Sequence, residues 1–224
     1  ILLDINKSIS QFIDLVCSST NISMESPSII LPKKSEGMES IKVLVRVRPL
    51  SVTELAEKND SVVDIISDQS LNVTSADGKK SFKCSFDSVL GPESTQNEVY
   101  DIIRGCTESV IDGFNSTIFA YGQTGSGKTY SMYGPPSTQP NTNTTTGTKH
   151  PPRGSEHMGL IPRAIEEIFE LVHNRDISDF QVHCSFVQIY NENLYDMLRD
   201  ASMNTPLTIR EDKKEIYVQG LSEY

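Results

Sequence analysis

Apolar residues follow three rhythms along this chain, and each changes at a definite place. Leu2, Ile5, Ile9, Phe12 and Val16 recur at spacings of three and four, which predicts a short amphipathic helix. About two heptads are present, fewer than a coiled coil requires. Residues 18–40 carry many serines with Pro27 and Pro32 and read as a linker. At Ile41 the rhythm shortens: Val43, Val45 and Val47 alternate with Lys42, Arg46 and Arg48. Leu44 breaks the alternation, so this strand is expected to be buried on both faces at its start. Residues 62–66, 71–74 and 82–86 read as further short strands.

Thr95 and Glu98 have capping-box spacing, and Val99, Ile102, Ile103, Cys106 and Val110 follow on one helical face. Gly113 ends that helix, and residues 116–121 form an apolar run expected to be a buried strand. Pro162 opens another helix, whose predicted inner stripe is Ile165, Ile168, Phe169 and Val172. Val182, Cys184 and Phe186 alternate as one face of a strand. Between these elements, residues 135–157 are rich in Pro, Thr and Asn and nearly devoid of apolar side chains. Such a run cannot bury enough surface to fold and is expected to be a mobile insert. The chain therefore divides into an N-terminal extension, 1–40, and a mixed α/β region, 41–224.

Composition narrows the partners. The net charge of −10 argues against nucleic acid. No apolar run approaches the roughly 20 residues that cross a membrane, and the first residues lack the form of a secretory signal. Cys17, Cys84, Cys106 and Cys184 have neither metal-ligand nor disulfide-framework spacing, which favours free thiols in the cytoplasm.

The chemistry is concentrated in Gly122-Gln123-Thr124-Gly125-Ser126-Gly127-Lys128-Thr129, which fits G-x-x-x-x-G-K-[ST]. In this pattern backbone N–H groups wrap a polyphosphate, the lysine reaches the β- and γ-phosphates, and the final hydroxyl binds Mg²⁺. An apolar run enters the loop and a helix can open at Lys128, aiming the positive end of its dipole at the phosphates. The cofactors expected are ATP and Mg²⁺, with Thr129 as the metal ligand.

The loop and its flanks, residues 114–134, closely resemble the nucleotide-binding segment of the kinesin motor domain. Ile41 to Leu50, with Arg46-Val47-Arg48-Pro49, resembles the family's first strand and R-x-R-P motif. Gly159-Leu160-Ile161-Pro162-Arg163-Ala164 resembles the helix restart after its variable insert, and residues 185–198 resemble another hallmark stretch. The resemblance implies an α/β phosphate-loop NTPase of the kinesin type, with a central mixed sheet flanked by helices. It places Arg46 and Pro49 beside the adenine and Tyr130 where an aromatic ring can stack on the base. It also implies microtubules as the partner, with Lys213 and Lys214 as candidate tubulin contacts. A solvated hairpin tip is the alternative for those two lysines.

The family's switch I (N-x-x-S-S-R) and switch II (D-L-A-G-S-E) motifs do not occur in these residues. The expectation is therefore the first half of a motor domain, incomplete in this chain and truncated before both switches. No catalytic residue is identifiable without them, so hydrolysis is expected of the full protein. The phosphate-loop strand is further expected to have unpaired edges. A natural short product acting as a nucleotide-binding or regulatory module is the alternative reading. Dimerisation is assigned to regions outside this sequence, the location to the cytoplasm and microtubule cytoskeleton, and no kinesin class is singled out.

Overall fold

A computed structural model describes residues 2–4, 28–29, 41–57, 60–75, 77–135, 154–177, 179–200, 202, 205–212 and 216–224. The chain forms two compact units, 1–175 and 176–224. The first unit contains two four-stranded sheets. In one, β1 (Leu2–Asp4), β3 (Leu44–Arg46), β7 (Ser88–Leu90) and β8 (Ala120–Tyr121) run parallel in the order β7-β3-β1-β8. In the other, β4 (Val63–Ser67), β5 (Ser70–Thr74) and β6 (Ser81–Ser85) form an antiparallel meander, and β2 (Ser28–Ile29) joins parallel to β6. The helices are α1 (Val52–Ala56), α2 (Gln96–Ile111), α3 (Lys128–Tyr133) and α4 (Leu160–Asn174). The mixed sheet pattern flanked by helices matches the fold class expected from the sequence.

Strand β3 is buried on both faces, as the break at Leu44 predicts. Val45 packs with Val47, Val63, Leu71, Val73, Cys84 and Val89 in a core shared with the meander. Leu44 points the other way and meets Val99, Tyr100 and Leu160 of α2 and α4. Because side chains alternate along a strand, Arg46 emerges on the face of Leu44, beneath the helices. This alternation puts a cation at the end of β3, against Gln96 and Ser131.

Helix α2 begins as its sequence demands. Thr95 Oγ1 accepts from the Glu98 N–H, and the Glu98 carboxylate accepts from the Thr95 N–H at 2.7 Å. A second capping box joins Ser51 and Glu54 at α1. There the carboxylate also receives both ends of the Arg48 guanidinium at 2.8 Å. The Arg48 hydrogen bonds, then the Ser51 N–H, hold the Glu54 carboxyl far below the usual carboxylate range. Arg48 thus ties α1 to the segment that follows β3.

Four expectations need correction. Leu2 starts a strand instead of a helix, while Ile5, Ile9, Phe12 and Val16 lie outside the described residues. The 116–121 run narrows to the two residues of β8, with Phe119 47% exposed. Its reason is position: β8 borders the sheet, pairs along one edge with β1, and follows a run beside an open cleft of ≈ 560 Å³ lined by Ile102, Cys106, Ile118 and Phe119. The stripe of α4 is only partly covered, with Val172 buried and Ile165 49% exposed. Val182, Cys184 and Phe186 precede the strand, which is β9 (Val187–Tyr190). Cys184 instead exchanges backbone hydrogen bonds with Tyr224. Of the insert at 135–157, residues 136–153 lie outside the described residues.

In the second unit, β9 pairs with β10 (Asn193–Asp196) and β11 (Thr208–Glu211) with β12 (Ile216–Gln219), both antiparallel. The first hairpin turns through Asn191 and Glu192, both at positive φ, where asparagine is well suited and glutamate less so. Asp196 is the unit's polar anchor. Its buried carboxylate accepts from the Leu198 N–H at 2.9 Å and the Ser222 N–H at 2.8 Å, and faces Arg199 at 3.2 Å. Burial alone would raise its pKa, but Ser222, Leu198 and Arg199 together hold it below the ordinary value.

Candidate nucleotide-binding site

The phosphate loop links β8 to α3, giving the strand–loop–helix order its motif requires. Gly125 and Gly127 have φ of 82° and 114°, values that side chains disfavour. They turn the chain so that Gly127 caps α3 directly before Lys128. Lys128 Nζ folds over the loop and donates to the carbonyls of Gly122 and Gln123, both at 2.8 Å. This posture keeps the ammonium at the loop mouth, where a polyphosphate would offer stronger, charged acceptors. Thr124 on the loop and Thr129 in the first turn of α3 are exposed, whereas Ser126 is fully buried.

Ser126 supplies a direct test of whether the loop suits a polyphosphate. Its Oγ is buried with no hydrogen-bond partner, although a buried hydroxyl left unpaired costs about 1–3 kcal/mol. A buried orphan polar atom inside a glycine-rich phosphate loop fits a site completed by an anion. Among the described residues no group of His, Cys, Asp or Glu could hold a metal. Mg²⁺ commonly takes few protein ligands and completes its shell with water and phosphate oxygens, so a Thr129 hydroxyl fits that demand.

Of the residues expected at the base, Arg46 is 6% exposed and the centre of a polar cluster. Its NH1 donates to Gln96 Oε1 at 2.8 Å and Ser131 Oγ at 2.9 Å, and its NH2 to the Ser94 carbonyl at 2.9 Å. The guanidinium carbon lies 5.3 Å from the Tyr130 ring centroid, within cation–π range. The structure therefore brings together two of the three residues expected at the base. Pro49 lines a different cleft, of ≈ 340 Å³, with Val47, Leu50, Leu55, Val63 and Pro92. Lys213 and Lys214 lie outside the described residues.

Gln96 and Ser131 are the residues that sequence reasoning missed. A signal for Gln96 did exist: it stands three and four residues before Val99 and Tyr100, so it shares their inward face. A glutamine on an apolar stripe must find partners for both ends of its amide. Ser131 has no such marker.

A family model for the kinesin motor domain matches residues 46–224. This chain belongs to the kinesin motor-domain family. Kinesin-related protein 3 of Dictyostelium discoideum is 38% identical over 190 residues, covering 83% of this chain and 14% of that protein. Kinesin-like protein KIN-12A of Arabidopsis thaliana is 36% identical over 191 residues, or 82% of this chain and 13% of the relative. Human Centromere-associated protein E is 37% identical over 186 residues, again 82% of the chain but 6% of its own length. These relatives carry different names at nearly equal identity, so similarity alone singles out no class. The chain thus spans a small part of the relatives it matches. Among the described residues no helix is long and apolar enough to cross a membrane.

Proposed function

We propose that this chain is the ATP-binding part of a microtubule motor, with hydrolysis and movement belonging to the whole protein. The carrying observation is the phosphate loop, in which Lys128 sits at the mouth and the buried Ser126 hydroxyl lacks a partner, inside a kinesin-family match. Gly122, Gln123, Thr124, Gly125, Ser126 and Gly127 form the cradle, Lys128 offsets β/γ-phosphate charge, and Thr129 supplies a Mg²⁺ ligand. When bound, Mg²⁺ would neutralise phosphate charge. The protein's part is to orient the triphosphate and hold the base against Arg46 and Tyr130. Pro49 lines a separate cleft and takes no part in this reading.

Microtubules are the proposed partner, Lys213 and Lys214 the proposed contacts, and the microtubule cytoskeleton the proposed location. Sedimentation of the purified protein with stabilised microtubules tests this reading. Co-pelleting that changes between Mg·ATP and Mg·ADP, and weakens in a Lys213→Glu/Lys214→Glu variant, supports it. A folded protein that stays in the supernatant in every nucleotide state contradicts it.

A further inference from the structure

Gln96 uses both ends of its amide in the interior, and it is only 2% exposed. Oε1 accepts from Arg46 at 2.8 Å, while Nε2 donates to the Tyr130 carbonyl at 2.7 Å. Arg46 ends β3 and Tyr130 belongs to the first turn of α3, so one amide sets the separation between strand and phosphate-loop helix. Gln96 is itself fixed, because it is the first residue of α2 directly after the reciprocal Thr95–Glu98 cap. Ser131 adds a second acceptor for the same guanidinium nitrogen. The result is an Arg46–Tyr130 pair held by fixed partners, in which Tyr130 remains 41% exposed and accessible to a flat ligand.

We propose that Gln96 is a positioning residue for the nucleobase, setting the Arg46–Tyr130 pair so that the site favours a nucleoside triphosphate over a bare triphosphate. This rests on the nucleotide-site reading above. The physical reason is separability. Phosphates meet the loop and Lys128, whereas the Gln96 bonds reach the side chain of Arg46 and the carbonyl beneath Tyr130. Losing them lets the guanidinium and ring drift from stacking distance without altering the glycines of the loop. The ligand recognised is a planar base joined to a polyphosphate.

The test is competition binding on the purified protein, with Mg·ATP and magnesium-bound inorganic triphosphate as probes. Gln96→Met keeps length and burial but removes both hydrogen bonds. It is expected to weaken Mg·ATP binding about tenfold while shifting triphosphate binding by less than about twofold, since bonds to a charged group are the stronger kind. Ser131→Ala is expected to weaken Mg·ATP by about threefold, again with triphosphate unchanged. Equal losses for both probes, or no loss for either, would overturn the role of Gln96. If Gln96→Met does not fold, as shown by its thermal melt, the Ser131→Ala result decides by the same criterion. A wild-type protein that binds triphosphate as tightly as Mg·ATP would remove the base clamp, and the role of Gln96 with it. Discrimination that survives both substitutions sinks Gln96 alone and leaves the nucleotide site standing.

Discussion

Gly159 is the residue whose replacement should damage the site most for the least chemical change. It caps α4 with an extended backbone, φ −76° and ψ −175°, which any residue can adopt. The constraint is steric. A Cβ there would stand 2.4 Å from the Met132 carbonyl carbon, 2.4 Å from the Tyr133 nitrogen and 2.5 Å from the Met132 oxygen. Carbon atoms prefer about 3.5–4.0 Å, so α4 and the end of α3 must part by about 1 Å. Overpacking costs about 1–3 kcal/mol, and the upper end applies because the obstructing atoms are backbone and cannot rotate away. For a chain of this size about 3 kcal/mol corresponds to a melting-temperature fall of about 6–12 °C. The displacement also reaches Lys128 and Thr129 at the other end of the six-residue helix α3, so Mg·ATP affinity should fall together with stability. Thermal melts and nucleotide titrations of Gly159→Ala check both. Gly125→Ala is the control of opposite cause, since nothing lies within 4 Å of its Cβ but φ is 82°. It should cost about 1–2 kcal/mol through backbone strain alone. A Gly159→Ala protein that melts within about 2 °C of wild type and binds Mg·ATP normally would refute the close apposition of the two helices.

Other outcomes follow from the polar anchors. Tyr100 of α2 donates across to Glu167 of α4 and shares a 3.1 Å hydrogen bond with Thr107 of its own helix, so Tyr100→Phe should lose about 1 kcal/mol in urea unfolding. Burial, then the Glu167 contact, raises the Tyr100 pKa above its ordinary value of 10.0. The stability from its neutral form should be full below pH 10.0 and decline as pH rises toward the folded value, seen as delayed phenolate absorbance in the native protein. Glu54 is shifted the opposite way, so its contribution should be present above pH 4.5 and decline as pH falls toward the folded value, and Glu54→Gln should flatten that acid limb. Asp196→Asn removes the charge that gathers Leu198, Ser222 and Arg199, and should lower hydrogen-exchange protection of the Leu198 and Ser222 amides without affecting Gln96 or Ser131.

What could be read in the sequence was what local chemistry decides. The Thr95–Glu98 cap forms as its spacing requires, and the break at Leu44 announces a strand covered on both sides. The glycines of the Gly122–Thr129 motif could be read because Gly125 and Gly127 adopt positive φ, which no other residue meets as cheaply. Coverage was not legible. Residues 116–121 and the stripe of α4 are apolar, yet periodicity states only which side chains share a face and says nothing of what packs on it. Thus Phe119, Ile165 and Phe169 stay exposed while the shorter-range signals hold. Hydrogen-bond partners distant in sequence were likewise hidden: Arg46 and Ser131 are 85 positions apart, and no local pattern links them.

The most direct test of the account is calorimetric titration of the purified protein with ATP in the presence of Mg²⁺, alongside Lys128→Ala and an exposed-site control, Cys184→Ser. Saturable binding near one ATP per chain is expected, weakened about tenfold to a hundredfold by Lys128→Ala through loss of charged hydrogen bonds, and unchanged in the control. A folded wild-type protein that shows no saturable binding, or one whose affinity is indifferent to Lys128, would contradict the assignment of this loop as the nucleotide site.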